Sequence, residues 1–485
     1  MIGLRRSLII NFFSSSGATL IQFIVSVLLA RLLSPHEIGI FSITVVFVNI
    51  AHIFRDFGVT AYLQREPNLT PDKVRAANGV LFTCSWIIAG TLYFCSDQIA
   101  GIFNEAEISE VMKVLAIGFI FIPFSAVTHS LLTREFAADK QAVVTAVGTL
   151  AYAITALGLA SLGHGPMSLA WANLVNILAC AIAYTPFRPK NLPWLPSFKN
   201  WRHVLNFGLG SLLANCAVAI NNAIPDLLLG KLANARQVGL LSRANSTVTI
   251  FTHVAGSTVN YGAISYISQI HHSGASLTPL LNKANALLTG VGWPVLAITA
   301  LLGQDIVLTL YGSDWLESVP AIPWLAAAAA ITMMFNYTPT ALLAVGRPYI
   351  SAYPIFATVV FRIALGIMLF DGSLKSFSIG IFVASVIATP VMFIQQKWYL
   401  HYSITDMLKA VAPSAIIAAL CMAVCQLTQM VLSDLLPAPV KLIIATIPIT
   451  LTWYLALKMM RHPVHDEIRL LATKFRSRYL LRQKA

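Results

Sequence analysis

Between Leu8 and Met459 the chain passes through fourteen apolar stretches of 17–27 residues, and eight of them hold no Asp, Glu, Lys or Arg. A helix needs about 20 mostly apolar residues to cross a bilayer. Strands of a membrane barrel would instead alternate every second residue. Runs this long and unbroken predict helices. The expected fold class is an all-α integral membrane protein with about 14 transmembrane helices. Composition agrees, because only 11% of residues are charged, against about 25% in soluble domains. The first run, 8–32, follows "GLRR" and lacks a small-residue cleavage site, so it reads as a retained anchor.

Charge sets the orientation, since cytoplasmic loops collect Lys and Arg. With the N-terminus inside, 24 of the 32 basic residues fall in inside segments and six outside. Two outside loops, "SDQIAGIFNEAEISE" and "GQDIVLTLYGSDWLES", are acidic. Both termini are therefore expected in the cytoplasm, and the net charge of +13 is a topology signal, not a nucleic-acid footprint. In the tail, Ile468, Leu471, Ala472, Phe475 and Tyr479 share one helical face, with Arg469, Lys474, Arg476 and Arg478 on the others. Such a segment is expected to lie on anionic membrane lipids.

The longest stretches outside the spans, about 55–77, 187–203 and the tail, cannot bury a core of their own. There is no phosphate-binding Walker loop, no GxSxG and no HExxH. Cys421 and Cys425, at i and i+4, have no His or carboxylate nearby to complete a metal site and are expected to pack as small apolar residues. No cofactor or metal is expected, and no enzyme. Many helices with little soluble mass point to a transporter.

The chain repeats itself. Residues 28–42 read "LLARLLSPHEIGIFS" and residues 228–242 read "LLGKLANARQVGLLS", identical at Leu28, Leu29, Leu32, Gly39 and Ser42. Each copy joins the first and second spans of a half. An even number of spans per half makes the repeat parallel, the plan of an alternating-access machine. The expected organisation is a six-helix lobe over 1–186 and a cytoplasmic linker over 187–203. A second six-helix lobe follows over 204–395, then two further helices within 396–459 and the basic tail over 460–485.

These residues resemble the polysaccharide transporter family of the MOP flippase superfamily. The resemblance runs in order through "LLARLLSPHEIGIFSI", "FRDFGVTAYLQREPNLTPDKVRAAN", "LLTREFAADKQA", "DLLLGKLANARQVGLLSRAN", "LTLYGSDW" and "LLAVGRPYISAY". It departs where the family often carries aromatic residues after the second-half glycine and this chain has Leu240, Leu241 and Ser242. The resemblance implies a flippase of a bacterial inner membrane. Its cargo would be a polyprenyl-diphosphate-linked oligosaccharide for surface polysaccharide assembly, and its partners other assembly proteins.

An anionic, hydroxyl-rich cargo calls for cations and polar groups at membrane depth, where a charge costs about 2.5–3.5 kcal/mol and so faces a partner, water or substrate. Arg243 and Arg362 lie within spans, and Arg suits phosphate through its planar fork. Asn222 and Asp226 flank Pro225 on the seventh span, and Asn49, His52 and Asn245 lie on the second and eighth. These seven are the candidate substrate contacts. Asn11, Gln22, Asn215, Asn221, His253, Asn260 and Tyr261 add to the polar content of the same spans. Arg55 and Asp56 read as a local charge pair at the end of the second span. One rival is a cation-coupled multidrug exporter of the same superfamily, which would need more buried carboxylates than Asp226 and Asp56. Another is a membrane-embedded glycan polymerase or ligase, which would need larger outside loops.

Overall fold

The computed structural model describes residues 2–66, 68–189, 196–197, 201–249, 267, 270, 275–432, 436–470 and 473. Among these every regular element is a helix. Eleven segments are long and apolar enough to cross a membrane, and Ala352–Met368 is a shorter apolar helix. The protein is thus a multi-pass, all-helical membrane protein. The chain divides into two compact units, Met1–Ser242 and Arg243–Ala485.

The first unit contains α1 (Ile2–Leu32), α2 (Pro35–Asp56), α3 (Val59–Arg65), α4 (Pro71–Phe103), α5 (Glu107–Arg134), α6 (Ala138–Ser161), α7 (Met167–Tyr184) and α8 (Trp201–Leu232). It also holds the start of α9, which spans 235–249. Helix α4 packs on α5, α5 on α7, α6 on α7 and α1 on α6, while α2 lies against both α5 and α8. The stretch after α2 is partly helical. It has no core of its own, yet α3 buries Val59 and Leu63 against Val74, Leu81, Val127 and Leu131 of α4 and α5. Arg134 secures it by donating Nη1 to the carbonyls of Leu63 at 3.1 Å and Glu66 at 2.5 Å. These are carbonyls that the end of a short helix would otherwise leave unmet.

The two copies of the repeat form the same local device. In the first, Ser34 opens α2 with a capping box: Ser34 Oγ accepts from the Glu37 amide at 3.3 Å, and Glu37 Oε2 accepts from the Ser34 amide at 2.7 Å. In the second, Asn234 Oδ1 accepts from the Gln237 amide at 3.0 Å. Such caps satisfy the orphan amides of a helix start. Each copy therefore encodes a stop, a two-residue break and a capped restart.

The second unit contains the rest of α9, α10 (Thr278–Leu301), α11 (Gly303–Leu310), α12 (Ile322–Met333), α13 (Thr338–Ala344), α14 (Ala352–Met368), α15 (Leu374–Leu400), α16 (Ile404–Val431) and α17 (Ala438–Met459). A last helix, α18, runs over 463–470. Helix α10 packs on α12, α12 on α15 and α14 on α15, in the order of α4, α5, α6 and α7. The expected span over 319–343 falls within Ser313–Ala344, one of the eleven apolar segments, and its helix is interrupted there. A 3-10 helix (Ser313–Ala321) leads into α12, and a turn precedes α13, where Pro339 sits in the first turn. Proline tolerates that position because its missing N–H has no intrahelical role there.

Cys421 and Cys425 are fully buried, packed with Leu302, Ala445, Ile449, Leu457 and Val464. The start of the tail belongs to this core. His462 is 1% exposed, its Nε2 lies 3.1 Å from Ser414 Oγ, and that oxygen lies 2.9 Å from Thr289 Oγ1. Lys283 on α10 pairs with Glu467 at 2.8 Å. Leu471, Ala472, Lys474, Phe475, Arg476, Arg478 and Tyr479 of the expected amphipathic face lie outside the described residues.

Candidate functional site

Within the first unit, the glycines of the two repeat copies meet. A Cβ built on Gly39 would run into the carbonyl oxygen of Ala235, and one built on Gly239 would run into that of Pro35. Each would also lie 3.0 Å from the backbone nitrogen of the other glycine. Pro35 and Ala235 are themselves repeat-related, so the contact is reciprocal. Only glycine permits two helix backbones to approach this closely.

One turn further along both helices, Ser42 and Ser242 face a cavity of about 540 Å³. From α2 it takes Ser42, Val45, Val46, Asn49 and Ile53, and from α8 Val218, Ala219, Asn222, Ala223 and Asp226. Both sets follow helical spacing, so each helix offers one continuous stripe. On α2 the stripe begins at Gly39: the face that touches α9 at one end opens into the cavity at the other. Pro225 stands inside α8 beside Asp226. A proline there removes one amide from the helix ladder.

The structure thus brings together three of the seven residues expected from the sequence: Asn49, Asn222 and Asp226. His52 is turned away from this stripe, and its ring stacks on Phe119 of α5 at 4.6 Å. Asp56 Oδ1 accepts a hydrogen bond from Thr60 Oγ1 at 2.5 Å. The two serines were not among the expected site residues. Their signal was present in the sequence: an identical pair, three residues past the only glycine that both copies share.

In the second unit, the Arg243 guanidinium lies 5.8 Å from the ring centroids of both Tyr311 and Trp315. Trp315 is fully buried. A planar cation over aromatic faces is attracted by the ring quadrupoles and held in orientation. Thr247 Oγ1, one turn on, lies 3.5 Å from the Tyr311 hydroxyl. The "YGSDW" stretch is therefore the seat of Arg243. Asn245 is exposed on α9, and its carbonyl accepts from Thr249 Oγ1 at 2.9 Å. Arg362 is half-buried on α14. His253, Asn260 and Tyr261 lie outside the described residues, as do the side chains of Asn11 and Asn215. Among the described residues no group of three or more His, Cys, Asp or Glu side chains is arranged to hold a metal.

The chain resembles proteins of known kind in sequence and in fold. It is 22% identical over 328 residues to the succinoglycan biosynthesis transport protein ExoT of Rhizobium meliloti (strain 1021), covering 66% of this chain and 64% of that protein. It is 22% identical over 402 residues to the teichuronic acid biosynthesis protein TuaB of Bacillus subtilis (strain 168), covering 81% of each. Its fold matches the lipid II flippase MurJ in an inward closed conformation with a TM-score of 0.75 and 14% identity, over 94% of this chain and 100% of that one. The family model described as polysaccharide biosynthesis protein matches residues 28–320, more than half of the chain. This multi-pass membrane protein therefore belongs to the polysaccharide biosynthesis protein family.

Proposed function

We propose that the chain is a flippase. It moves a polyprenyl-diphosphate-linked oligosaccharide from the cytoplasmic to the periplasmic leaflet of a bacterial inner membrane, for surface polysaccharide assembly. The observation that carries this reading is the reciprocal crossing of Gly39 and Gly239 next to a polar cavity. A contact of bare backbone, with one glycine from each copy of the repeat, lets two helices meet and part without unpacking side chains. The names of the relatives, a transport protein for succinoglycan among them, supply the cargo class.

The lobes are 1–186 and 204–395, joined by the linker 187–203 and followed by two additional helices and the basic tail. The matching packing orders of α4–α7 and of α10, α12, α14 and α15 support a parallel repeat. The distribution of Lys and Arg supports cytoplasmic termini, which puts the crossing at the periplasmic end. The tail rests on anionic lipid, and other assembly proteins receive the cargo. Asn49, Asn222, Asp226 and Asn245 contact the glycan. Arg243, fixed by Tyr311 and Trp315, supplies a rigid fork for the diphosphate, with Arg362 as a second cation. His52, stacked on Phe119, holds α2 in place behind the wall.

Deleting the protein tests the reading directly. Lipid-linked oligosaccharide should accumulate on the cytoplasmic leaflet while its synthesis continues. Repeat units exported but left unpolymerised would instead identify a polymerase.

A further inference from the structure

One histidine fastens the start of the tail to the rest of the second unit. Past α17, Arg461 takes a left-handed φ of 50°, and the His462 amide donates back to the Leu457 carbonyl at 3.0 Å. That turn closes α17. Pro463 then opens α18, so His462 is the N-cap of that helix. Its ring lies on the bare backbone of α10, because a Cβ on Gly290 would run into His462 Cε1. From α17, Trp453 Nε1 donates to the Gly290 carbonyl at 2.9 Å. Both ring nitrogens are used. The Val464 amide donates to Nδ1 at 3.3 Å, which leaves the proton on Nε2, and Nε2 donates to Ser414 Oγ on α16 at 3.1 Å. From these contacts we propose that His462 is a pH-sensitive latch: neutral, it docks α18 onto α10 and α16, and protonated, it releases α18. The latch goes beyond the flippase reading and does not depend on the cargo.

Protonation acts on the latch in three ways. A second N–H, on Nδ1, faces the Val464 N–H, donor against donor, and the cap is lost. The new charge sits at the positive end of the α18 dipole, where cations are disfavoured. The ring is 1% exposed, so the charge also loses its hydration, and burial pushes the imidazole below its ordinary value. Among the described residues, no carboxylate pairs with the ring to offset this. Glu467 is taken by Lys283 of α10 at 2.8 Å, and Asp466 is exposed, 3.9 Å from His465. The His465 ring lies 5.8 Å from that of Tyr454 on α17. On α16, Asp406 is half-buried about two turns before Ser414, and Cys421 lies about two turns beyond it. Lys409, Lys458, Arg461 and Arg469 are exposed. The docked state therefore holds fewer protons than the released one. Docking is complete above the released pKa of about 6.5 and weakens as pH falls below it, by up to about tenfold per unit.

Amide hydrogen exchange over residues 463–470 tests this in the purified full-length protein in lipid nanodiscs, corrected for the intrinsic exchange rate at each pH. The segment should be protected at about pH 8, and its protection should fall by at least about fivefold at about pH 5. His462→Gln can keep both hydrogen bonds and cannot take the charge, so its protection should agree within about twofold at the two pH values. His465→Gln should respond as the wild type does, which separates the two histidines of the segment. Equal protection of the wild type at both pH values overturns the proposal. So does a pH response that persists in folded His462→Gln, or one that disappears in His465→Gln. The last comparison decides the matter if His462→Gln does not fold.

Discussion

The two copies of the repeat agree where they lean on each other and differ where each meets another neighbour. At Gly39 and Gly239 they are identical, and each glycine accepts the other's backbone. At the matched positions Ala30 and Gly230 they are not. Ala30 is buried with its methyl in place, whereas a Cβ on Gly230 would come within 3.1 Å of Ile43 and Phe103. Ile43 is itself the first residue after its copy, and its counterpart Arg243 sits on Tyr311 and Trp315. Symmetric residues thus make the contact that lies on the local two-fold relation. Off that relation each copy meets a different neighbour, and the sequences diverge to fit. At Gly39 and Gly239 the repeat is retained where it touches itself.

The sharpest way to break this comparison is at the crossing. Leucine at position 39 or 239 meets a carbonyl oxygen that cannot move away without shifting a helix. We expect either variant to part the crossing at a cost above ~1.4 kcal/mol and to lower polysaccharide export to below about a tenth. Protein levels in the membrane should stay near normal. In the same variants a cysteine at position 42 should react with an impermeant reagent from the periplasm. Full export by Gly39→Leu would show that the crossing is not a working contact.

The asymmetric position comes next. Arg243→Ala should abolish export at normal protein level. Arg243→Lys should restore part of it, because the charge survives and the bidentate fork does not. Full export in Arg243→Gln would remove the need for a cation. Loss of the protein itself in Arg243→Lys would mean that the stacking on Tyr311 and Trp315 holds the fold and does not orient a ligand.

A smaller effect separates Gly230 from Ala30. Gly230→Ala should destabilise the detergent-solubilised protein by about 1 kcal/mol through crowding. Ile43→Val, which removes the Cδ1 atom that Cβ would meet, should make the pair cost less than the sum of the single changes. Strict additivity in thermal unfolding would mean that the two positions do not press on each other.

The least effect is expected at the caps. Ser34→Ala should cost about 0.5 kcal/mol, and Asn234→Ala should cost less. The first copy has the reciprocal bonds of a capping box, while a single cap bond is described in the second. Equal losses would mean that the Glu37 half of the box contributes nothing.

Hydropathy and spacing are properties of a short stretch, and what depends on them was legible in the sequence alone. The helical membrane class, most of the spans, the burial of Cys421 and Cys425, and the choice of Asn49, Asn222 and Asp226 as polar residues within apolar stretches are of this kind. So was the repeat. What a helix face meets is decided by chain hundreds of residues away, and no local pattern encodes it. That Gly39 touches Gly239, that Ser42 and Ser242 line one cavity, and that His52 stacks on Phe119 while Asn49, three residues earlier, faces the opening are tertiary facts. The same holds for the docking of α3 under Arg134, whose composition reads as a loop. It holds as well for the turn before α13, which interrupts the helix inside an apolar run that hydropathy reads as continuous. Arg243 shows the division most plainly. Its charge within an apolar span marked it from the sequence, but the aromatic seat that orients it comes from residues 311 and 315, which became its neighbours only when the chain folded.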